Sequence, residues 1–122
     1  MHRQPDILFI QVDQMAAAPL PVYGGRVVLA PNLTQLAEQG TTFDGAYCNS
    51  PICAPSRFSM MAGRLPCSIG AYDNGAELPA STPTLAHMLA RAGYQTILAG
   101  KMHFIGPDQL HGFAERLITD IY

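Results

Sequence analysis

The pentapeptide CAPSR at residues 53–57 combines a potential nucleophile with a permanent cation one helical turn later. A cysteine reacts as its thiolate, and an arginine side chain holds carboxylate or phosphate-like anions through parallel N–H bonds. The chain has only 3 cysteines. Three uses compete for Cys53: a metal ligand, a thiolate nucleophile, and a reactive group beside a bound anion.

Zinc binding is disfavoured by the spacing of the cysteines. Cys48 and Cys53 could form one ligand pair, but Cys67 and the histidines form no second pair at ligand spacing. A thiolate at a helix N-terminus, with His103 as its base, stays open as an interpretation. An inert, buried cysteine stays open beside it.

Residues 53–63 predict a short helix that begins near Cys53. Pro55 and Ser56 can start a helix, residues 58–62 continue it, and Gly63 permits its end. The backbone N–H groups and the dipole at a helix N-terminus attract anions, and Arg57 lies one turn further on. The pattern predicts an oxyanion-binding helix start with a reactive side chain, without deciding what the reactive group is.

Two further segments end in chemically useful residues. The apolar run at residues 7–12 leads to Asp13, and ligands collect at the carboxyl ends of strands in open α/β sheets. A plain turn-forming role for Asp13 is an equal alternative. The segment GKMH at residues 100–103 follows another apolar run, and Lys101 and His103 would share one face of an extended chain.

The order of the elements predicts the fold class. Residues 7–12, 41–47 and 95–99 have the apolar character of strands, whereas residues 31–40 and 81–93 have the caps and periodicity of helices. Their alternation predicts an α/β fold with a mostly parallel sheet flanked by helices.

Composition indicates a part of a larger domain. Charged residues make up 13% of the 122 residues, against about 25% in a typical soluble domain. The net charge of −2 and the scattered basic residues exclude the electrostatic pattern of a nucleic-acid or anionic-membrane partner. The odd cysteine count and the lack of a secretory-signal pattern predict reduced thiols and a cytoplasmic location.

The motifs together resemble the sulfatase family. CAPSR at 53–57 with MAGR at 61–64 is similar to the signature C-x-P-S-R followed by A-G-R, and VDQ at 12–14, APNL at 30–33 and GKMH at 100–103 follow the family order. AYDN at 71–74 and residues 100–122 resemble the choline-sulfatase branch of the family.

The resemblance implies a fold and a chemistry. Residues 1–122 would form the N-terminal part of an alkaline-phosphatase/sulfatase-like catalytic domain. A maturation enzyme would convert Cys53 to formylglycine, an aldehyde whose hydrate attacks sulfur. Arg57 would orient that hydrate, Lys101 would bind the sulfate oxygens, and His103 would assist the release of sulfate.

The resemblance also implies a metal and a substrate. Asp13, Gln14 and the oxygen made from Cys53 would be ligands of a divalent cation, Ca²⁺ first and Mg²⁺ or Mn²⁺ as alternatives. Many sulfatases have two adjacent aspartates where this chain has Asp13 and Gln14, and choline-sulfatase-like members share the glutamine.

Three residues are candidates for the substrate pocket: Asn74, His111 and Tyr122. The predicted substrate is choline-O-sulfate, whose quaternary ammonium would pack against an aromatic face such as that of Tyr122. Aryl sulfates, phosphate or phosphonate esters, and an inactive truncated chain are the alternatives. We expect the full-length protein to be a homo-oligomer and the isolated chain to be inactive and aggregation-prone.

Overall fold

The computed structural model describes residues 4–118. The chain divides into two compact units, one ending at Ala46 and the other beginning at Tyr47. No helix in this described part is long and apolar enough to cross a membrane.

The first unit contains one α-helix and one 3₁₀ turn among its described residues. Helix α1 spans Pro31–Gln39, and a 3₁₀ turn spans Pro21–Tyr23. The predicted helix at residues 31–40 is therefore confirmed, and its Pro lies in the first turn, where the missing N–H is not needed. The Tyr23 hydroxyl donates to the Phe43 carbonyl and so joins two parts of this unit that are 20 residues apart in the sequence.

The two strands predicted in this part of the sequence, at residues 7–12 and 41–47, are not strands in the structure. The apolar residues of the first segment are exposed; Leu8, for example, is 84% accessible. A strand is held by hydrogen bonds to a neighbouring strand. Among residues 4–118 the only paired strands lie in the second unit, so these two segments have nothing to pair with.

The second unit contains the longest helix of the described chain and a small parallel sheet. Helix α2 spans Cys53–Ala62, a 3₁₀ turn spans Pro66–Ile69, and helix α3 spans Leu85–Arg91. Strand β1, Ile97–Leu98, pairs in parallel with β2, Glu115–Arg116. The predicted α/β class with a parallel sheet is confirmed, and β1 lies inside the strand predicted at residues 95–99.

Helices α2 and α3 of this unit end where the sequence predicts. Gly63 ends α2 in the left-handed conformation, with φ of 62°, and its N–H bonds to the Ser59 carbonyl. Thr84 caps α3 in a capping box with His87, and Gly93 follows its end at φ of 89°. The sequence predicts Pro83 in the first turn of this helix, but Pro83 precedes the cap, because Thr84 is the residue whose side chain accepts the His87 N–H.

The core of the second unit gathers around α2. Its buried apolar side chains come from α2, from the 3₁₀ turn, from the chain before and within α3, and from β1 and the segment after it: Ala54, Phe58, Met61, Ile69, Ala71, Leu78, Ala86, Leu98, Met102 and Phe104. Burial of this face fixes α2, and with it the position of Cys53, against residues 102–104.

Candidate active site

Cys53 is the first residue of α2, and the helix start is held by a residue from another loop. The N-cap residue, Ile52, has no side-chain oxygen to cap the helix. The Ala54 N–H instead donates to the Asn74 side-chain Oδ1 at 3.0 Å. Asn74 therefore caps α2 from a loop that lies 20 residues later in the sequence.

Two cationic side chains lie at this helix start. The Lys101 ammonium Nζ is 3.7 Å from the Cys53 sulfur. Arg57 is only 4% exposed, and its guanidinium donates to the Lys101 carbonyl at 2.6 Å. The predicted grouping of Cys53, Arg57 and Lys101 is thus present as a contact network, and it adds two positive charges to the positive end of the helix dipole.

His103 reaches the same site by a different route from the predicted one. Its backbone is left-handed, with φ of 63°, so Lys101 and His103 do not alternate along an extended chain. Its ring is 3% exposed, and Nε2 lies 3.1 Å from the Asn74 carbonyl oxygen. Because a carbonyl only accepts, this contact places a proton on Nε2.

Asp13 and Gln14 form an exposed turn in the first unit. Gln14 is left-handed, with φ of 56°, which is uncommon for a residue other than glycine. Within residues 4–118 there is no group of three or more His, Cys, Asp or Glu that could hold a metal ion. Ca²⁺ takes about 6–8 oxygen ligands, so the residues described here do not make a complete cation site by themselves.

His111 lies in a separate cluster. Its ring is 1% exposed and contacts the Phe104 ring, with centroids 4.3 Å apart. Its Nδ1 is 3.4 Å from the Asp108 carboxylate, and its carbonyl accepts from the Thr84 hydroxyl at 2.6 Å. Among the described residues it is therefore surrounded by protein. Tyr122, the other aromatic candidate, lies outside the described residues.

The charges around His111 alter two pKa values. Burial lowers the pKa of His111 below its ordinary 6.5, Asp108 opposes this, and smaller effects come from His87, Glu77 and Arg116. The pKa of the Asp108 carboxyl is lowered, chiefly because it accepts the His111 backbone N–H. The neutral imidazole and the ionised carboxylate are both favoured by the fold.

Sequence reasoning missed Asp108 and Thr84. Asp108 Oδ1 accepts the N–H groups of both Leu110 and His111 at 3.0 Å, and Thr84 bonds the His111 carbonyl. The Pro-Asp dipeptide at residues 107–108 is a turn signal that could have indicated the first of these. The bond from Thr84 spans 27 residues and has no local signal.

The start of α2, with Cys53 and Arg57 on the helix and Lys101 beside it, is an arrangement suited to binding oxyanions. The chain belongs to the sulfatase family, because the Sulfatase family model matches residues 5–116. Sulfatases as a family use a divalent cation and a formylglycine.

Several characterised sulfatases are similar in sequence. The chain is 55% identical to the choline-sulfatase of Rhizobium meliloti (strain 1021), over 98% of this chain and 23% of that protein. It is 37% identical to human arylsulfatase A, over 87% of this chain and 22% of that protein. The chain thus spans about a quarter of the length of the curated relatives it matches.

Solved structures of sulfatases have the same fold. A sulfatase in complex with its substrate, D-glucosamine-2-N,6-O-disulfate, matches with a TM-score of 0.75 and 31% identity, over 81% of this chain and 20% of that one. A 2-O GAG sulfatase matches with a TM-score of 0.70 and 25% identity, over 86% of this chain and 24% of that one. The alkaline-phosphatase/sulfatase-like α/β class predicted from the motifs is therefore confirmed.

Proposed function

We propose that the protein of which this chain forms the N-terminal catalytic part hydrolyses sulfate esters, with choline-O-sulfate as substrate. The observation that carries the reaction type is the contact network of Cys53, Arg57 and Lys101 at the start of α2. The 55% identity to a choline-sulfatase supports the choice of substrate.

The nucleophile is assigned to residue 53. If Cys53 is converted to formylglycine, residue 53 would supply one hydroxyl for attack on sulfur, with the ester S–O bond breaking and the alcohol leaving, and a second hydroxyl whose deprotonation would release sulfate and restore the aldehyde. The position at the first residue of α2 supports this assignment, because negative charge that develops there meets the helix N-terminus.

Arg57 and Lys101 have different electrostatic roles in the proposed reaction. Arg57 is buried and anchored to the Lys101 carbonyl, so its guanidinium orients the oxygen on residue 53 without rearranging. The Lys101 ammonium, which lies beside residue 53, binds the sulfate oxygens. Because this hydrogen bond ends on the Lys101 backbone carbonyl, a change of Arg57 removes it, whereas a substitution of the Lys101 side chain leaves it in place.

His103 and Asn74 complete the proposed site. His103, whose Nε2 contacts the Asn74 carbonyl, assists the release of sulfate. The Asn74 amide caps α2 through Oδ1 and offers Nδ2 as a donor to the substrate. His111 and Tyr122 as substrate contacts stay predictions, and so do Asp13, Gln14 and residue 53 as ligands of Ca²⁺.

The remaining finer assignments also stay proposals: a separate maturation enzyme, a homo-oligomer of the full-length protein, and a cytoplasmic location. The maturation enzyme is needed to make the reactive group at residue 53, whereas the oligomeric state and the location are not needed for the reaction there. Each can be examined in the full-length protein independently of its activity.

The test is a comparison of substrates with the full-length protein. We expect kcat/KM for choline-O-sulfate to exceed that for an aryl sulfate and for a phosphonate monoester, and we expect Cys53→Ala to abolish all three activities. A preference for the aryl sulfate would favour the alternative that the protein is an arylsulfatase, which the 37% identity to human arylsulfatase A supports. Undiminished turnover by the Cys53→Ala protein would refute the assignment of residue 53.

A further inference from the structure

Three aromatic rings connect α2 to the segment that follows His103. The Phe58 ring of α2 stacks on Phe104 with centroids 6.0 Å apart and an angle of 21° between the rings. Phe104 also contacts His111, and the centroids of these two rings are 4.3 Å apart. We call Phe58, Phe104 and His111 the aromatic stack; all three side chains are buried.

The His111 end of the aromatic stack is fixed by its backbone. The His111 N–H donates to Asp108 Oδ1 at 3.0 Å, and the His111 carbonyl accepts from the Thr84 hydroxyl at 2.6 Å. Its φ is 40°, in the left-handed region that histidine tolerates better than most residues. The ring is therefore held in place by the turn at Asp108 and by the cap of α3.

The middle of the aromatic stack is directly bonded to the proposed catalytic segment. Phe104 follows His103 in the chain, and His103 is itself held in a left-handed conformation. A residue in this conformation stays there only when its surroundings fix it. The packing of Phe104 against its two ring neighbours, with the Arg116 guanidinium 5.8 Å from its centroid, supplies that constraint on one side.

The His111 ring acts through packing in this arrangement. Neither of its nitrogens makes a hydrogen bond within residues 4–118, although Nδ1 is 3.4 Å from the Asp108 carboxylate. Burial favours the neutral ring, as the lowered pKa of His111 reflects. What His111 contributes to Phe104 is therefore an aromatic surface.

We propose that His111 is a positioning residue, whose ring holds Phe104 and through it keeps His103 in register with Asn74 and the start of α2. This inference rests on the proposed function for the role of His103. It differs from the prediction that His111 binds the substrate, because a ring buried against Phe104 acts on the substrate only indirectly.

Two variants of the full-length protein separate the ring from the nitrogens and from the backbone. His111→Phe keeps an aromatic ring and removes both nitrogens. His111→Asn removes the ring and keeps a polar residue that tolerates the left-handed backbone. Leu110→Ala is the matched control, since Leu110 is 43% exposed and uses only its backbone N–H in the Asp108 turn.

The expected readout is a change in kcat with little change in KM. A displacement of about 1 Å in a catalytic group can lower a rate by about 100-fold, so we expect His111→Asn to lower kcat by roughly 10- to 100-fold. KM should stay within about twofold because no substrate contact is lost, and His111→Phe should keep kcat within about threefold of the parent. Leu110→Ala should behave as the parent protein.

Three results would overturn the inference. Parent-like kcat in His111→Asn would show that the ring is dispensable. Equal losses in both His111 variants would show that an aromatic surface alone does not account for the role of His111. A raised KM with unchanged kcat would indicate a substrate contact. Hydrogen–deuterium exchange of residues 101–113 supplies a readout that does not depend on activity. Faster exchange there in His111→Asn but not in His111→Phe is required, even if the parent protein prefers another sulfate ester.

Discussion

Replacing Asn74 by alanine tests whether this residue caps α2 from outside the helix. The substitution removes the oxygen that accepts the Ala54 N–H at 3.0 Å. It leaves the backbone carbonyl that His103 contacts. The first turn of α2, where residue 53 lies, should therefore loosen while His103 keeps its partner.

The magnitude follows from measured values for helix caps. Loss of an N-cap acceptor costs about 0.5–2 kcal/mol, typically about 1. Since Ile52 offers no side-chain replacement, nothing nearby compensates. A change of about 1 kcal/mol corresponds to roughly a fivefold increase in the population of the opened first turn.

The assay is hydrogen–deuterium exchange of peptides covering residues 52–62 in the full-length protein. Asn74→Asp is the matched control, because its carboxylate keeps the acceptor and places negative charge at a helix N-terminus, which is favourable by about 0.3–1 kcal/mol. Turnover alone does not distinguish a cap from a substrate contact, since both variants alter the donor Nδ2. Unchanged exchange in Asn74→Ala would refute the capping role.

Three other expectations concern the same unit. Arg57→Lys should lower kcat/KM for sulfate release at least tenfold, because a buried charged hydrogen bond contributes about 1.5–3 kcal/mol and lysine lacks the planar fork; steady-state kinetics would show whether the bond matters. Gly112→Ala should destabilise the protein more than Gly93→Ala in a thermal unfolding scan, because both glycines have φ near 90° but only at position 112 would a Cβ lie within 2.5 Å of a side chain; equal losses would contradict the clash. The fold lowers the pKa of His111, so the unfolded state binds more protons, and this stabilising contribution is complete above 6.5 and lost as the pH falls below it. Hydrogen–deuterium exchange of residues 101–113, corrected for intrinsic rates, should become faster on acidification through that range in the parent protein, but less so in His111→Phe. The lowered pKa of Asp108 causes a further loss of stability only below its ordinary value of 3.8. Equal acid responses of the two proteins would contradict the role of His111 in the pH dependence.

The helices were predictable from the sequence because their signals are local. The start of α2 at Cys53 and its end at Gly63 follow from residues within one or two turns, and the same holds for the end of α3 before Gly93. The strands predicted at residues 7–12 and 41–47 failed because pairing depends on partners remote in sequence. An apolar run shows that a segment could be a buried strand, but it does not show whether a neighbouring strand is present to pair with it.

The candidate site shows the same division. The spacing of Cys53 and Arg57 on one helix is local, and it was sufficient to predict an anion site. The bonds that assemble the rest join residues 44 and 20 positions apart, from Arg57 to the Lys101 carbonyl and from Ala54 to Asn74. The substrate role of His111 stays a prediction, and its burial against Phe104 depends on packing that no local pattern encodes.

The most direct test of the central claim is the mass of residue 53 in full-length protein from its native host. Trypsin releases residues 27–57 as one peptide, which contains Cys48 as an internal control for thiol alkylation. Tandem mass spectrometry should find Cys48 alkylated and residue 53 lighter than cysteine by about 18 Da, as an aldehyde that reacts with hydrazides. An alkylated, unmodified cysteine at both positions in catalytically active protein would contradict the account.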